Sequence, residues 1–207
     1  MFNNYHIFYL LFNILVDNYY PYINNIFVIP FVHAYLTSFY SNYLMYSDSN
    51  KFFNISIYQN HEINNLYTSI PIYTYIYLFF HVKSAIQRGY AETIHAFMLS
   101  LMSYICFTNN KNHYFIPGLI IETSTIFLHL MYANKHIIFK ILFFLSFTFY
   151  RGILFPYICY NFINNHYDEI LNVYDLHFVY FVILLLSNIL NFYWLHLITK
   201  KLLKLLE

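Results

Sequence analysis

A chain of 207 residues that is 60% hydrophobic and 9% charged, with a formal net charge of +1, cannot clothe a water-exposed surface, because a soluble domain draws about a quarter of its residues from the charged set. The same composition excludes a disordered chain and, with no basic patch to meet phosphates, a nucleic-acid binder. It leaves an integral membrane protein, in keeping with a mean hydropathy of +0.48.

Tyr occurs 25 times and Phe 24 times, against 3 Gly and 5 Pro. These are the products of A/T-rich and G/C-rich codons respectively. The aromatic and Asn richness therefore reads as drift in an A/T-biased genome, not as stacking platforms or prion-like sequence.

Crossing about 30 Å of hydrocarbon takes about 20 apolar residues. Seven runs approach or meet that need: residues 2–16, 26–46, 66–82, 91–107, 114–132, 137–163 and 176–203. The first is short. The sixth is long and is expected to tilt or kink at Pro156, where the ring removes a helical donor. The last leaves the membrane in its final turns. Met1 to His6 carries no Lys or Arg, and no small-residue cleavage site follows the first apolar run, so no secretory signal is expected.

Polar clusters at 47–65, 83–90, 109–113, 133–136 and 164–175 separate the runs. Residues 1–25 read as a short N-terminal helix and loop, and residues 26–207 as one transmembrane domain without internal repeats. The expected fold is all-α: a polytopic bundle of six to seven transmembrane helices around a central cavity. Runs that are apolar on every face lack the alternation a membrane barrel needs.

Basic residues set the orientation. With seven spans, Lys83, Arg88, Lys135, Lys140, Lys200, Lys201 and Lys204 fall on one side, and Lys51 and Lys111 on the other. The C-terminus is accordingly expected to be cytosolic.

Ionisable groups at bilayer depth are costly and face a bundle interior or cavity. Glu122 and Arg151 lie at similar depth on two runs joined by a short connection. They form either a buried ion pair locking two helices or a device in which one of them orients a ligand headgroup. Glu122, Thr125 and His129 share one helical face at i, i+3 and i+7, and Glu92 and His95 share another with Leu99 and Met102. His81, His95, His129 and His196 all fall in the cytosolic halves of their helices. They are either hydrogen-bonded packing residues or the polar lining of one cavity, together with Arg151 and Asn191.

Cys106 and Cys159 sit in apolar runs without CxxC or zinc spacing and read as buried thiols. The HxxxH and HxxHH sets of membrane di-iron enzymes are absent, as are HExxH, GxSxG, Walker and GxGxxG motifs. No metal and no cofactor is expected.

In order along the chain stand Val32-His33-Ala34-Tyr35-Leu36-Thr37-Ser38, then Glu92-Thr93-Ile94-His95, then Ile121-Glu122-Thr123-Ser124-Thr125-Ile126-Phe127-Leu128. Arg151 with Pro156 follows, and last comes Asn191-Phe192-Tyr193-Trp194-Leu195-His196 before a basic tail. This succession, over roughly residues 31–204, resembles the TLC-domain family, which includes ceramide synthases and smaller TLC-domain membrane proteins. The third segment looks like the Glu-Leu-Ser-Thr-Pro-Phe-Leu stretch of the small members.

The resemblance implies a TLC-like transmembrane domain over residues 26–207, membrane lipids as partners, and an endoplasmic-reticulum or other internal membrane. It also implies acyltransferase chemistry for the catalytic members, with paired histidines and a His-Asp-x-x-Asp pattern. Here His95 is followed by Ala96, helix 114–132 carries Glu122 and Thr125 without an aspartate, and His81 stands where many relatives have Asp. The expectation is thus a lipid-binding or lipid-homeostasis membrane protein without identified catalysis. The alternatives are an acyl-CoA-dependent lipid acyltransferase using His95 with Glu122 or His129, and a transporter or organelle-encoded membrane subunit.

Overall fold

The computed structural model describes residues 4–19, 22–23, 26–47, 86, 90–109, 114, 117–172 and 175–206. The expected span at 66–82 lies outside the described residues, as do His81 and the side chain of Glu92.

Among the described residues the fold is all-α apart from one two-residue pairing. Helix α1 is Asn4–Tyr19. Strands β1 (Tyr22–Ile23) and β2 (Ile26–Phe27) pair antiparallel, Tyr22 against Phe27. They lead into α2, Val28–Ser47. Pro30 falls in its first turn, where a missing N–H costs nothing.

Helix α2 shows why small residues matter here. His33, Ala34, Thr37, Ser38 and Ser41 are buried, while Tyr35, Leu36, Phe39 and Tyr43 are exposed. A seam of small and hydroxyl residues lets two backbones approach closely, the packing that drives helix association where lipid offers no hydrophobic gain. The hydroxyls are satisfied locally: Thr37 Oγ1 donates to the His33 carbonyl at 2.8 Å and Ser38 Oγ to that of Tyr35 at 3.2 Å. Across the seam, Asn42 Nδ2 donates to Thr123 Oγ1 at 2.8 Å.

Helix α3 is Tyr90–Thr108. A 3-10 turn, Leu119–Ile121, continues as α4, Glu122–Ala133. Asn134 ends α4 in an extended conformation, and His136 Nδ1 accepts from Ile138 N–H to start α5, Ile137–Phe147. This short connection makes α4 and α5 antiparallel neighbours, as the sequence leads one to expect.

The rod begun by α5 continues through a π-helical segment, Thr148–Leu154, into α6, Phe155–Asn165. The N–H of Phe155 bonds the Tyr150 carbonyl, five residues back. The physical reason lies at Pro156, which has no N–H for the Gly152 carbonyl. The turn before it widens, and the helix passes through Pro156 with its register shifted. A single-turn α7, Tyr167–Ile170, precedes the long α8, Leu176–Leu206.

Among the described residues, two helices are long and apolar enough to cross a membrane, Ile137–Asn165 and Leu176–Leu205. Only 17% of the residues in each apolar window are buried, which is unlike the core helix of a soluble protein. Their outer faces present Leu145, Ile153, Leu186 and Ile189. Cys106 and Cys159 are buried free thiols.

Candidate functional site: a polar-floored cavity

The site is built where α2, α3, α4, α5 and α8 converge. Glu122, Thr125 and His129 face one cavity from α4, as their spacing requires. From α3 come His95, Ala96 and Leu99, and from α5 Lys140, Phe143 and Phe147. Arg151 enters from the π segment, and Trp194, Leu197, Ile198 and Lys201 from α8. The cavity measures about 720 Å³, within the roughly 300–1,000 Å³ of small-molecule sites.

Its two ends differ in chemistry. The inner end is a buried polar knot around Arg151. Arg151 Nε donates to Ser124 Oγ at 2.8 Å, Nη1 to Asn191 Oδ1 at 3.1 Å and Nη2 to Thr125 Oγ1 at 3.1 Å. Nη2 lies 3.6 Å from Glu122 Oε1, and the two side chains are 6% and 8% exposed. The guanidinium carbon also stands 5.3 Å from the Phe147 ring centroid and 5.8 Å from that of Trp194. The cation is therefore held by three neutral acceptors, one carboxylate and two ring faces, which together replace the water it has lost.

The π segment makes this possible. Widened turns of this kind recur at functional positions because they turn a side chain off the ordinary helical face. Arg151 sits in the middle of that turn and is buried, while Phe149 and Ile153 on either side are exposed.

Glu122 differs from its partner. At 3.6 Å it pairs with Arg151 by charge, beyond the usual length of a charge-assisted hydrogen bond. It also borders the cavity. Acceptor capacity of the carboxylate thus faces the cavity. The middle of the cavity is apolar and aromatic, with the His95 ring edge-on to Trp194 at 5.3 Å and the His129 ring edge-on to Phe31 at 5.8 Å. The outer end carries Tyr132, Lys140, Lys201 and Leu205.

Of the residues expected to line a cavity, the structure brings together His95, Glu122, His129 and Arg151. Asn191 is buried behind them as a partner of Arg151. His196 lies elsewhere: it is exposed and is not among the residues lining this cavity. On α8 the inward positions are 191, 194, 198, 201 and 205, at helical spacing. His196 is two residues past Trp194, about 200° around the helix, and faces the other way.

Among the described residues, no group of three or more His, Cys, Asp or Glu is arranged to hold a metal. Sequence reasoning missed Ser124 as a direct Arg151 partner, and Lys140 and Lys201 as lining residues. A position one helical turn from Arg151's depth was the signal available for Ser124.

A family model for the TLC domain matches residues 23–200. No curated protein and no solved structure matches the chain. The matched stretch begins at β1 and ends in the last turns of α8, enclosing every residue of the cavity short of its outer rim. The chain belongs to the TLC-domain family.

Proposed function

We propose that this chain is a multi-pass membrane protein that holds a lipid in the cavity and acts in membrane lipid homeostasis without catalysing a reaction on it. One observation carries the reading: an apolar, aromatic wall closed at its inner end by the Glu122–Arg151 knot. Such a wall suits an alkyl chain. Glu122, His95 and His129 suit a hydrogen-bonding head or glycerol-type hydroxyl. Membrane lipids, in an endoplasmic-reticulum or other internal membrane, are the partners.

The test is to purify the protein in mild detergent and quantify co-purifying lipid by mass spectrometry. Leu128 lines the wall and is half-buried. Leu128→Trp fills the space and is expected to lower retained lipid about tenfold, one decade per 1.4 kcal/mol of lost binding. An unchanged lipid complement would overturn the reading.

Orientation is tested separately. The basic asymmetry puts the C-terminus in the cytosol. Glycosylation sequons inserted after Asn50 and after Asn165 are expected to be modified, and one after Lys204 is not. The reverse pattern inverts the protein.

A specific observation keeps an acyltransferase as the second reading: His95 and His129 share a cavity with Glu122. General-base catalysis needs an imidazole held by a second group beside the reacting proton. His95 meets the ring of Trp194, and Glu122 is engaged with Arg151. Given a sphingoid base and a panel of acyl-CoAs, the purified protein is expected to yield no N-acyl product above a no-protein control. Product that vanishes with His95→Ala would make the enzyme reading the better one.

A further inference from the structure

Two lysines stand at the outer end of the cavity. Lys140, in the first turns of α5, and Lys201, near the end of α8, both line it. The rod of α5 and α6 runs one way, and α8 packs against it on the return. Lys140 stands 25 residues before Asn165, and Lys201 stands 25 residues after Leu176. The two therefore reach the same depth from opposite chain directions.

Charge along the cavity is lopsided. Its charged lining residues are Glu122, Lys140, Arg151 and Lys201. Glu122 and Arg151 face each other at 3.6 Å and offset one another. What remains is the two lysines, both at one end. Among the described residues, no ion pair engages either of them.

The distance between the two ends follows from α8. Asn191, which accepts from Arg151 at the inner end, precedes Lys201 by ten residues. At the helical rise that is about 15 Å, half of a hydrocarbon core of about 30 Å. With the lysines at headgroup level, the cavity is one leaflet deep and its floor lies near the bilayer centre. The wall between includes Leu128, Phe143, Trp194 and Leu197, which suits an alkyl chain lying along its own leaflet.

A lysine near a helix end commonly snorkels to the interface and needs no ligand. Lys135, Lys200 and Lys204 fit that description, being exposed and outside the cavity lining. Lys140 and Lys201 differ: they come from two separate helices to the rim of one space, and Lys140 is half-buried. The charge to be matched selects the head. A phosphomonoester carries about −1.5 to −2 at pH 7, and lysine binds phosphate as a point charge. A carboxylate leaves one lysine unmatched, and an uncharged glycerol head leaves both.

We propose that the cavity takes a lipid phosphomonoester, with its phosphate held by Lys140 and Lys201 at the mouth and an alkyl chain directed inward toward the Arg151 knot. The inference rests on the lipid-holding reading of the cavity and adds to it the head, the head's charge and the direction in which the lipid lies.

Trp194 is the sole tryptophan of the chain and lines the wall, so its fluorescence reports occupancy. The full chain would be placed in phosphatidylcholine nanodiscs and titrated with three probes that share one dibrominated alkyl chain, whose bromines quench tryptophan on contact. The probes are the monoacylglycerol phosphate, the monoacylglycerol and the free fatty acid. The phosphate is expected to half-saturate the quenching at about tenfold lower mole fraction than the monoacylglycerol, the order that two interfacial lysines supply. Lys140→Gln with Lys201→Gln is expected to abolish that preference and leave quenching by the monoacylglycerol unchanged. Lys140→Arg with Lys201→Arg keeps the charge and is expected to keep the preference. Lys135→Gln with Lys200→Gln removes as much surface charge outside the cavity and is expected to keep it as well.

Equal half-saturation by the phosphate and the monoacylglycerol overturns the anionic head. An equal loss of preference in the Lys135 and Lys200 pair does the same, since the attraction would then belong to the surface as a whole. A fatty acid that matches the phosphate overturns the phosphomonoester in favour of a carboxylate. Inorganic phosphate at the concentration of the probe is expected to leave the quenching in place, and relief by it would mean that the lysines take a free anion. Quenching by no probe overturns the lipid-holding reading itself. Quenching by all three alike leaves that reading standing and overturns this one.

Discussion

Arg151→Met is expected to destabilise the protein by about 3 to 5 kcal/mol, the usual cost of stripping a buried charge of its partner. The substitution leaves the buried Glu122 carboxylate with no described cation within 4 Å. It also removes the donors that reach Ser124, Thr125 and Asn191. Glu122→Gln is expected to cost less, about 1 to 3 kcal/mol, because Arg151 keeps three neutral acceptors and two ring faces. Combining the two should recover much of the Arg151 loss, since no carboxylate is then stranded. Thermal or denaturant unfolding in detergent measures all three, and a coupling energy above about 1 kcal/mol is expected for groups in one network. Strict additivity would show that the two side chains do not act as a pair.

The pair was legible in the sequence for a definite reason. A connection of three residues, Asn134 to His136, forces α4 and α5 antiparallel. Counting residues from that turn then sets Glu122 and Arg151 at matching depth. The stripe of Glu122, Thr125 and His129 was legible because helical period alone decides a face. Depth is not direction, however. His196 sits at the depth of the cavity and faces away, and only the azimuth of α8, set by which residues pack against α3 and the π segment, could reveal it.

The π segment was hidden for another reason. Pro156 announces that one hydrogen bond must be lost, but a kink and a widened turn both answer that need. The choice is made by packing: the widened turn carries Arg151 into the polar knot and leaves Phe149 and Ile153 outside. The Tyr114–His177 contact was hidden by separation. Tyr114 and His177 are 63 residues apart, and no local pattern joins them.

Phe162→Ala is expected to cost about 3 to 5 kcal/mol, the range for deleting a fully enclosed aromatic ring. Phe162 is 1% exposed and belongs to the cluster that joins α3, α6 and α8. Its ring packs edge-on to Tyr114 at 5.6 Å and to Tyr180 at 6.2 Å, and tilts against His166 at 5.1 Å. In a membrane protein the loss cannot be charged to water, because lipid solvates a phenyl ring about as well as a helix interface does. What the substitution removes is dispersion contact in a close-packed interior, which nothing refills when neighbours are fixed by backbone geometry. Tyr160, two residues earlier on α6 and 62% exposed, tests that distinction. Its replacement by Ala exchanges protein surface for lipid and is expected to change stability by less than about 0.5 kcal/mol. Unfolding of the two variants side by side in the same detergent checks both values. Equal losses would mean that α6 does not turn Phe162 inward and Tyr160 outward. A small loss at Phe162 alone would mean that Tyr114 and Tyr180, which pack against its ring, close over the gap.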